Sequence, residues 1–383
     1  MSEVVLNDIC ELIVDCPHST AYDEGTGYPL VRTPNIGRGR LIYSGMHRVC
    51  EEVYNKRNAR AIPQTNDLIF AREATAGNVA LIQEGEKVCL GQRTVLIRPN
   101  ANLVNPAFLT YHLLAPEQQY KLLSTANGAT VAHVNMPTIR NLKLSLPPLA
   151  TQHRIATILS RYDSLIENYQ KQIKLLEEAA QRLYKEWFVD LHFPGHENTN
   201  IIDGVPEGWE KKKVGEIAII SAGGDKPDVV TEEQTTECQV PIYSNGTTKE
   251  GLYGYTNKSS NTAGSITISA RGSIGFACLR MHDYFSIVRL ISIKPQNNVD
   301  LMYLFQFTKV HTFMSNGAAQ QQLTVPMVKA IDVVYPAESL LEAFENVVLP
   351  LYKKVQSLQS QLSLLTEARD RLLPKLMGGE IEI

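Results

Sequence analysis

The sequence predicts an α+β protein in two halves. Each half is a domain of mixed short strands and helices followed by one long helix. The two long helices are expected to pair as an antiparallel coiled coil with pseudo-two-fold symmetry. Three observations carry this: the chain repeats itself once, an apolar seam recurs twice at coiled-coil spacing, and short β-type runs precede each seam.

The repeat is found by aligning Gly128-Ala129-Thr130 with Gly317-Ala318-Ala319. The register then holds without a gap, so that Pro137 falls on Pro326 and Pro147 on Pro336. The boundaries that follow are a first domain over 1–150, a long helix over 151–190 and a linker over 191–206. A second domain over 207–337 and a second long helix over 338–378 complete the chain.

Each helix shows residues alternately four and three apart, the coiled-coil seam pattern. In the first these are Leu159, Tyr162, Ile166, Tyr169, Ile173, Leu176, Ala180, Leu183 and Trp187. In the second they are Val348, Leu351, Val355, Leu358, Leu362, Leu365, Arg369, Leu372 and Leu376. At 1.5 Å per residue, each helix is about 50 Å long. Ser339 with Glu342 suggests a capping box for the second helix, Gly378-Gly379 should stop it, and Pro374 should disturb its last turn. Trp187 and Phe188 read as core or partner contacts.

Upstream of the first helix the β-type runs include Leu41–Tyr43, Asp67–Ala71, Val79–Ile82, Thr94–Arg98 and Asn141–Leu146. Upstream of the second they include Val240–Tyr243, Ser265–Ala270, Phe276–Leu279, Ile287–Lys294 and Ile331–Tyr335. A short helix is expected in each domain, over Pro106–Leu114 and over Asp300–Lys309. Ala71-Arg72 with Gly77 matches Ala270-Arg271 with Gly275, one residue closer, so the two arginines are expected to occupy the same place after a strand.

With 383 residues, 44% of them hydrophobic and 20% charged, the composition is that of globular domains. No apolar run is long enough to cross a bilayer. The first residues carry Glu3, Asp8, Glu11 and Asp15 where a signal peptide needs positive charge, so the expected location is the cytoplasm. The six cysteines form no CxxC pair, which predicts reduced thiols and no metal site. The net charge of −3 does not itself suggest a nucleic-acid binder, but between Tyr28 and Asn100 basic residues outnumber acidic ones. There is no [DNS]PP[YFW] segment, no phosphate-cradling G-x-x-x-x-G-K-[ST] loop, no G-x-S-x-G elbow and no HExxH. No catalytic residue is assigned.

The block Leu146-Pro147-Pro148-Leu149-Ala150-Thr151-Gln152-His153-Arg154-Ile155-Ala156 resembles the signature that follows each recognition domain in type I restriction–modification specificity subunits. Arg182-Leu183-Tyr184-Lys185-Glu186-Trp187-Phe188-Val189-Asp190, the restart Val205-Pro206-Glu207-Gly208-Trp209-Glu210 and the ending Arg371–Ile381 are similar to that family as well. The second proline block, Tyr335-Pro336-Ala337-Glu338, departs from its pattern. The resemblance implies two domains that each read one half of an asymmetric, bipartite double-stranded DNA site. It also implies helices that dock modification (methyltransferase) subunits, two of them, with restriction subunits joining that core. S-adenosylmethionine, ATP and Mg²⁺ would then belong to those partners, none to this chain. The alternatives are an orphan or decoy specificity subunit and a self-contained DNA-modifying enzyme; the missing motifs argue against the second.

For DNA contact, the sequence offers Arg32 and Arg38 in a polar turn, Arg72 and Arg271 beside glycine-containing loops, and Thr130 and His133 after the aligned Gly-Ala. It further offers Asn245 and Thr247 in an Asn-Gly turn, and Gln320 and Gln321 in a glutamine run that includes Gln322. Arginine can grip guanine or a phosphate, and glutamine suits an adenine edge. The bland alternatives are a surface salt bridge and a plain hairpin turn. For the coiled coil and subunit docking, the candidates are the seam residues Tyr162, Ile166, Tyr169, Ile173, Leu176, Leu183, Trp187, Val355, Leu358, Leu362, Leu365 and Leu372.

Overall fold

The computed structural model describes residues 2–124, 133–313, 322–381 and 383. They divide into two units, one of residues 1–170 with 360–383 and the other of residues 171–359. Thr130, Gln320 and Gln321 lie outside the described residues.

The first unit begins with β1 (Ser2–Val5), β2 (Cys10–Asp15), β3 (Tyr28–Val31), β4 (His47–Val49) and α1 (Glu51–Arg57). Then come β5 (Leu68–Ala71), β6 (Val79–Leu81), β7 (Cys89–Leu90), β8 (Thr94–Pro99), α2 (Pro106–Leu114), α3 (Pro116–Leu123), α4 (Met136–Arg140) and β9 (Lys143–Leu146). The long helix α5 (Leu149–Tyr184) crosses into the second unit. There follow β10 (Ile201–Ile202), β11 (Val205–Pro206), β12 (Glu210–Lys213), α6 (Val214–Ile217), β13 (Ala218–Ala222), β14 (Val240–Tyr243) and β15 (Leu252–Thr256). Next are β16 (Ser265–Ile268), β17 (Ala277–Arg280), β18 (Phe285–Ser286), β19 (Ile291–Pro295), α7 (Leu301–Val310), α8 (Val325–Lys329) and β20 (Asp332–Tyr335). The second long helix, α9 (Glu338–Gly378), returns to the first unit.

The duplication holds strand by strand. One sheet has the order β2-β8-β5-β6 and its counterpart β13-β19-β16-β17; a second has β4-β3-β7 and its counterpart β15-β14-β18. β1 pairs with β9, and β12 with β20, so each domain's first strand is closed by the strand entering its long helix. The central strands are buried on both faces: Leu68, Ile69, Phe70 and Ala71 of β5 are each 0–1% exposed. Such a strand reads as a continuous apolar run, without the alternation that a solvated face would leave. Helix α2 starts where Asn105 accepts the Phe108 amide at 2.9 Å and Pro106 supplies the preset φ.

Four local expectations are corrected. Leu41–Tyr43 is not a strand; only Leu41 bridges Ile36, inside a loop broken by Gly37 and Gly39. Ser339 lies within α9, whose start is set by Ala337 accepting the Leu340 and Leu341 amides, so no Ser339–Glu342 box caps it. Pro374 does not disturb the last turn as expected: α9 stays helical through it to Gly378, at the loss of the one backbone donor that proline lacks. The stop is Gly379, in the left-handed region at φ 73°. The segment 191–206 is no plain linker: Phe193 is buried, with its ring 5.0 Å from that of Trp209, and β10 and β11 form a small hairpin.

Within each unit the two long helices run antiparallel. In the first, Ile155, Ala156 and Leu159 share a core with Leu373 and Leu376, and Leu372 packs against it. In the second, Ala180 and Tyr184 share a core with Phe344, Val348, Tyr352 and Val355, with Ile173, Leu176, Leu183, Trp187 and Phe188 packed around it. The Trp187 and Phe188 rings lie 5.8 and 4.9 Å from Phe344, so these half-buried aromatics pack against the core of this unit. The seam residues Tyr162, Ile166, Tyr169, Leu362 and Leu365 are half-buried, and Leu358 is buried.

Arg369 interrupts the apolar seam for a visible reason. Asp163 is 3% exposed, and its carboxylate accepts Arg369 Nη1 at 2.9 Å and the Tyr111 hydroxyl at 2.6 Å. At the matching places of the second unit stand Tyr352, Ala180 and Gln306, where Gln306 donates to the Tyr352 hydroxyl at 3.0 Å. Breaking a buried pair strands a charge, so Arg369→Ala should lower stability by roughly 3 kcal/mol in denaturant unfolding. The triple variant Tyr111→Gln, Asp163→Tyr, Arg369→Ala copies the second unit's neutral cluster and should regain most of that loss.

A second buried carboxylate gives a pH signature. Glu345 accepts the Met302 amide at 2.9 Å, and burial pushes its pKa from 4.5 to about 7. The folded state therefore holds a proton that the unfolded chain releases between these values, and stability falls as pH rises across that window. The span corresponds to on the order of 3 kcal/mol. Glu345→Gln should match the wild type near pH 4 and be the more stable at pH 8, measured by denaturant midpoints.

Candidate nucleic-acid interface

At one end of the central sheet in each unit, three loops come together: β3–β4, β5–β6 and β7–β8 in the first, β14–β15, β16–β17 and β18–β19 in the second. Main-chain hydrogen bonds fix the equivalence of the two sets. Ala71 donates to Asn78 and receives the Gly77 amide; Ser269 donates to Phe276 and receives the Gly275 amide. Val134 then donates to Arg72 and Leu323 to Ala270. Gly77 and Gly275 close these loops at φ 89° and 87°, a conformation in which glycine has no Cβ penalty.

This register corrects the sequence alignment. Arg72 corresponds to Ala270, and Arg271 corresponds to Glu73, so the two arginines do not occupy the same place. Arg72 is 7% exposed. Its Nη1 meets both Asp15 oxygens at 2.8 and 2.9 Å, Nε donates to the Val134 carbonyl at 3.0 Å, and Nη2 reaches His133 Nε2 at 2.8 Å. A guanidinium only donates, so His133 Nε2 accepts there and its Nδ1–H donates to Glu73 at 2.6 Å. Glu73 also holds Arg93, at 2.6 Å. Arg72 and His133 are therefore the interior of a network whose exposed ends are Arg93 and His18, the latter 3.2 Å from Asp15.

Arg271 is different: exposed, it donates through Nε and Nη2 to Gln322 Oε1 at 3.2 and 2.8 Å. Gln322 follows the Gln320-Gln321 run and stands where His133 stands in the first unit. Asn245 braces the same loops, accepting the Ala270 amide at 2.6 Å and donating to the Val288 carbonyl at 2.7 Å. Thr247 is exposed on the β14–β15 loop, where Lys249 and Glu250 sit at φ 47° and 54°. Buried Arg280 supports that loop, donating to the Glu250 carbonyl at 2.6 Å while its guanidinium lies 3.6 Å above the Tyr243 ring. Burial raises the Tyr243 phenol.

Arg32 lines a cleft of about 190 Å³ with Thr33, Arg57, Gln92 and Arg93, its Nη2 donating to the Gly45 carbonyl at 3.1 Å. Arg57 is structural: its Nε donates to the Leu90 carbonyl at 2.6 Å, and burial lowers its pKa. Arg38 points elsewhere, donating at 3.1 Å to the Leu114 carbonyl at the end of α2. The structure thus gathers Arg32 with the unforeseen Arg93 in one unit, and Arg271 with Asn245 in the other. The network partners Asp15, Glu73 and His18 carried no sequence signal, because their pairing spans widely separated segments.

Arg72→Ala would leave Asp15 without its cation and should cost roughly 2–4 kcal/mol in stability. Arg271→Ala removes an exposed side chain and should stay within about 0.5 kcal/mol of wild type. Paired melting curves check both.

Comparison with known proteins follows the same lines. Residues 1–178 and 206–339 each match the model of the type I restriction modification DNA specificity domain. The chain is 25% identical to the type I restriction enzyme MjaIX specificity subunit of Methanocaldococcus jannaschii, over 99% of this chain and 93% of that protein. It is 22% identical to the HindI specificity subunit of Haemophilus influenzae, over 75% of this chain and 80% of that protein. The fold is similar to the crystal structure of the type I restriction–modification S subunit from M. genitalium, with a TM-score of 0.65 and 17% identity, covering 98% of this chain and 95% of that one. With two specificity domains on one fold, each followed by a long helix, the chain belongs to the type I restriction–modification specificity subunit family.

Proposed function

We propose that this chain reads an asymmetric, bipartite site in double-stranded DNA, one half with each unit, and performs no catalysis itself. Two modification subunits dock on the paired helices, and restriction subunits join them. S-adenosylmethionine, ATP and Mg²⁺ serve those partners, in the cytoplasm. Among the described residues no helix is long and apolar enough to cross a membrane.

The observation that carries this reading is one main-chain frame built twice with different side chains at matching places: Glu73 and His133 in one unit, Arg271 and Gln322 in the other. Two readers of the same shape with different donors and acceptors suit two different half-sites. A bipartite site also needs a fixed separation, which helices supply better than a flexible linker. For docking, α5 leaves Leu165 and Leu175 exposed and α9 leaves Leu364, at 45%, 63% and 65%. Apolar side chains so exposed on long helices suit a protein partner.

The test inserts one heptad into α5 after Gln170 and one into α9 after Ser360, at the boundary between the units. Each heptad adds about 10 Å of helix, or roughly 3 bp of duplex at 3.4 Å per base pair. Methylome sequencing of a host carrying the variant with its modification subunit should then show the same half-sites with a longer spacer. An unchanged spacer with methylation intact would mean that the helices do not set the separation.

A further inference from the structure

Two arginines outside the sequence candidates occupy one position of the duplicated frame. Gly91 donates to the Val31 carbonyl at 2.7 Å, and Ile287 to the Tyr243 carbonyl at 2.9 Å, which aligns the β7–β8 loop with the β18–β19 loop. Two residues on stand Arg93 and Arg289. The ladders agree: Val95 opposes Phe70, Ile291 opposes Ile268, and each arginine lies two residues before that pair.

Both arginines are in the left-handed region, at φ 63° and 60°, and both are exposed. An L-residue with a long side chain is strained there, and glycine would not be. The Arg289 backbone is pinned by its own amide donating to Gly223 at 2.8 Å and by Val288 donating to Gly224 at 2.9 Å. Among the described residues, its guanidinium has no carboxylate partner. Arg93 is held by Glu73 and borders the Arg32 cleft. Where the first unit has Glu73, the second has Arg271, so its loop cluster carries two exposed arginines. An arginine kept in the left-handed region at matching places of two frames, exposed in both and without a carboxylate partner in one, suits contact with a polyanion.

We propose that Arg93 and Arg289 are one DNA-gripping arginine built twice, each contacting its own half of the duplex. This rests on the DNA-reading function proposed above and adds to it the position in the frame that makes the contact.

Arg93→Gly and Arg289→Gly test it, because glycine relieves the strain while removing the cation. The full chain, purified with its modification subunits, is offered random-sequence DNA duplexes; bound molecules are sequenced and affinities measured, alongside melting temperatures. The wild type should enrich a two-part motif. Each variant should bind that motif about 5- to 150-fold more weakly, with the melting temperature unchanged or raised. A loss confined to one base of one half marks a base edge, and a uniform loss with a shallower salt dependence marks a phosphate; either supports the contact. Unchanged affinity overturns the proposal, as does an affinity loss that comes with a lower melting temperature. A wild type that enriches no motif would instead defeat the DNA-reading function on which it rests.

Discussion

The buried carboxylate of Asp163 is the constraint around which the first unit is organised. It takes the Tyr111 hydroxyl from the recognition domain and Arg369 from the returning helix, so α2, α5 and α9 meet at one charge. Glycine at position 39 follows from the same point, since a Cβ there would stand 3.0 Å from an Asp163 oxygen. An ion pair of this kind adds little net stability over an apolar cluster, but it tolerates no substitute for either partner alone. The second unit answers the same geometric need with Gln306, Tyr352 and Ala180, a neutral cluster. The polar version fixes which residue of α9 faces which residue of α5, a choice that leucines along a half-buried seam leave weakly determined.

The separation between frame and chemistry repeats at the loop tips. Strand order and the amide-to-carbonyl bonds around Ala71 and Ser269 are main-chain features that, given the closing glycines, do not depend on the side chains at the tips. Position 73 in one unit and 271 in the other can therefore carry opposite charges, and 133 and 322 a histidine and a glutamine. In the first unit the carboxylates of Asp15 and Glu73 absorb Arg72 and hold Arg93. In the second, Asn245 does the bracing with a neutral amide and leaves Arg271 and Arg289 without carboxylate partners among the described residues.

Much of the fold was legible because its signals are periodic. The seam, the apolar runs of β5 and β16 and the proline register predicted the elements, and α2 agrees to the residue. Boundaries failed where a single residue was asked to decide, as with Ser339 and Pro374. The site was read less well, for a physical reason. Matching Ala71-Arg72 to Ala270-Arg271 followed letter identity, whereas the frame is set by hydrogen bonds that match Ala71 to Ser269. Arg72 looked like a surface cation because its partners, Asp15 and His133, lie far from it in sequence. Nothing in an arginine's identity announces a positive φ, so Arg93 and Arg289 were invisible until the backbone was known.

The net charge of −3 is consistent with a DNA-reading role once the charges are assigned to places. Several basic residues of the first domain are internal: Arg57, Arg72 and Arg98 are spent on the Leu90 carbonyl, Asp15 and Asp67. On the reading proposed above, a duplex meets the local sign at the tips, to which Arg32, Arg93, Arg271 and Arg289 contribute. Those side chains can change without disturbing the frame. Two copies of one scaffold can therefore present different sequence preferences while keeping the same fold.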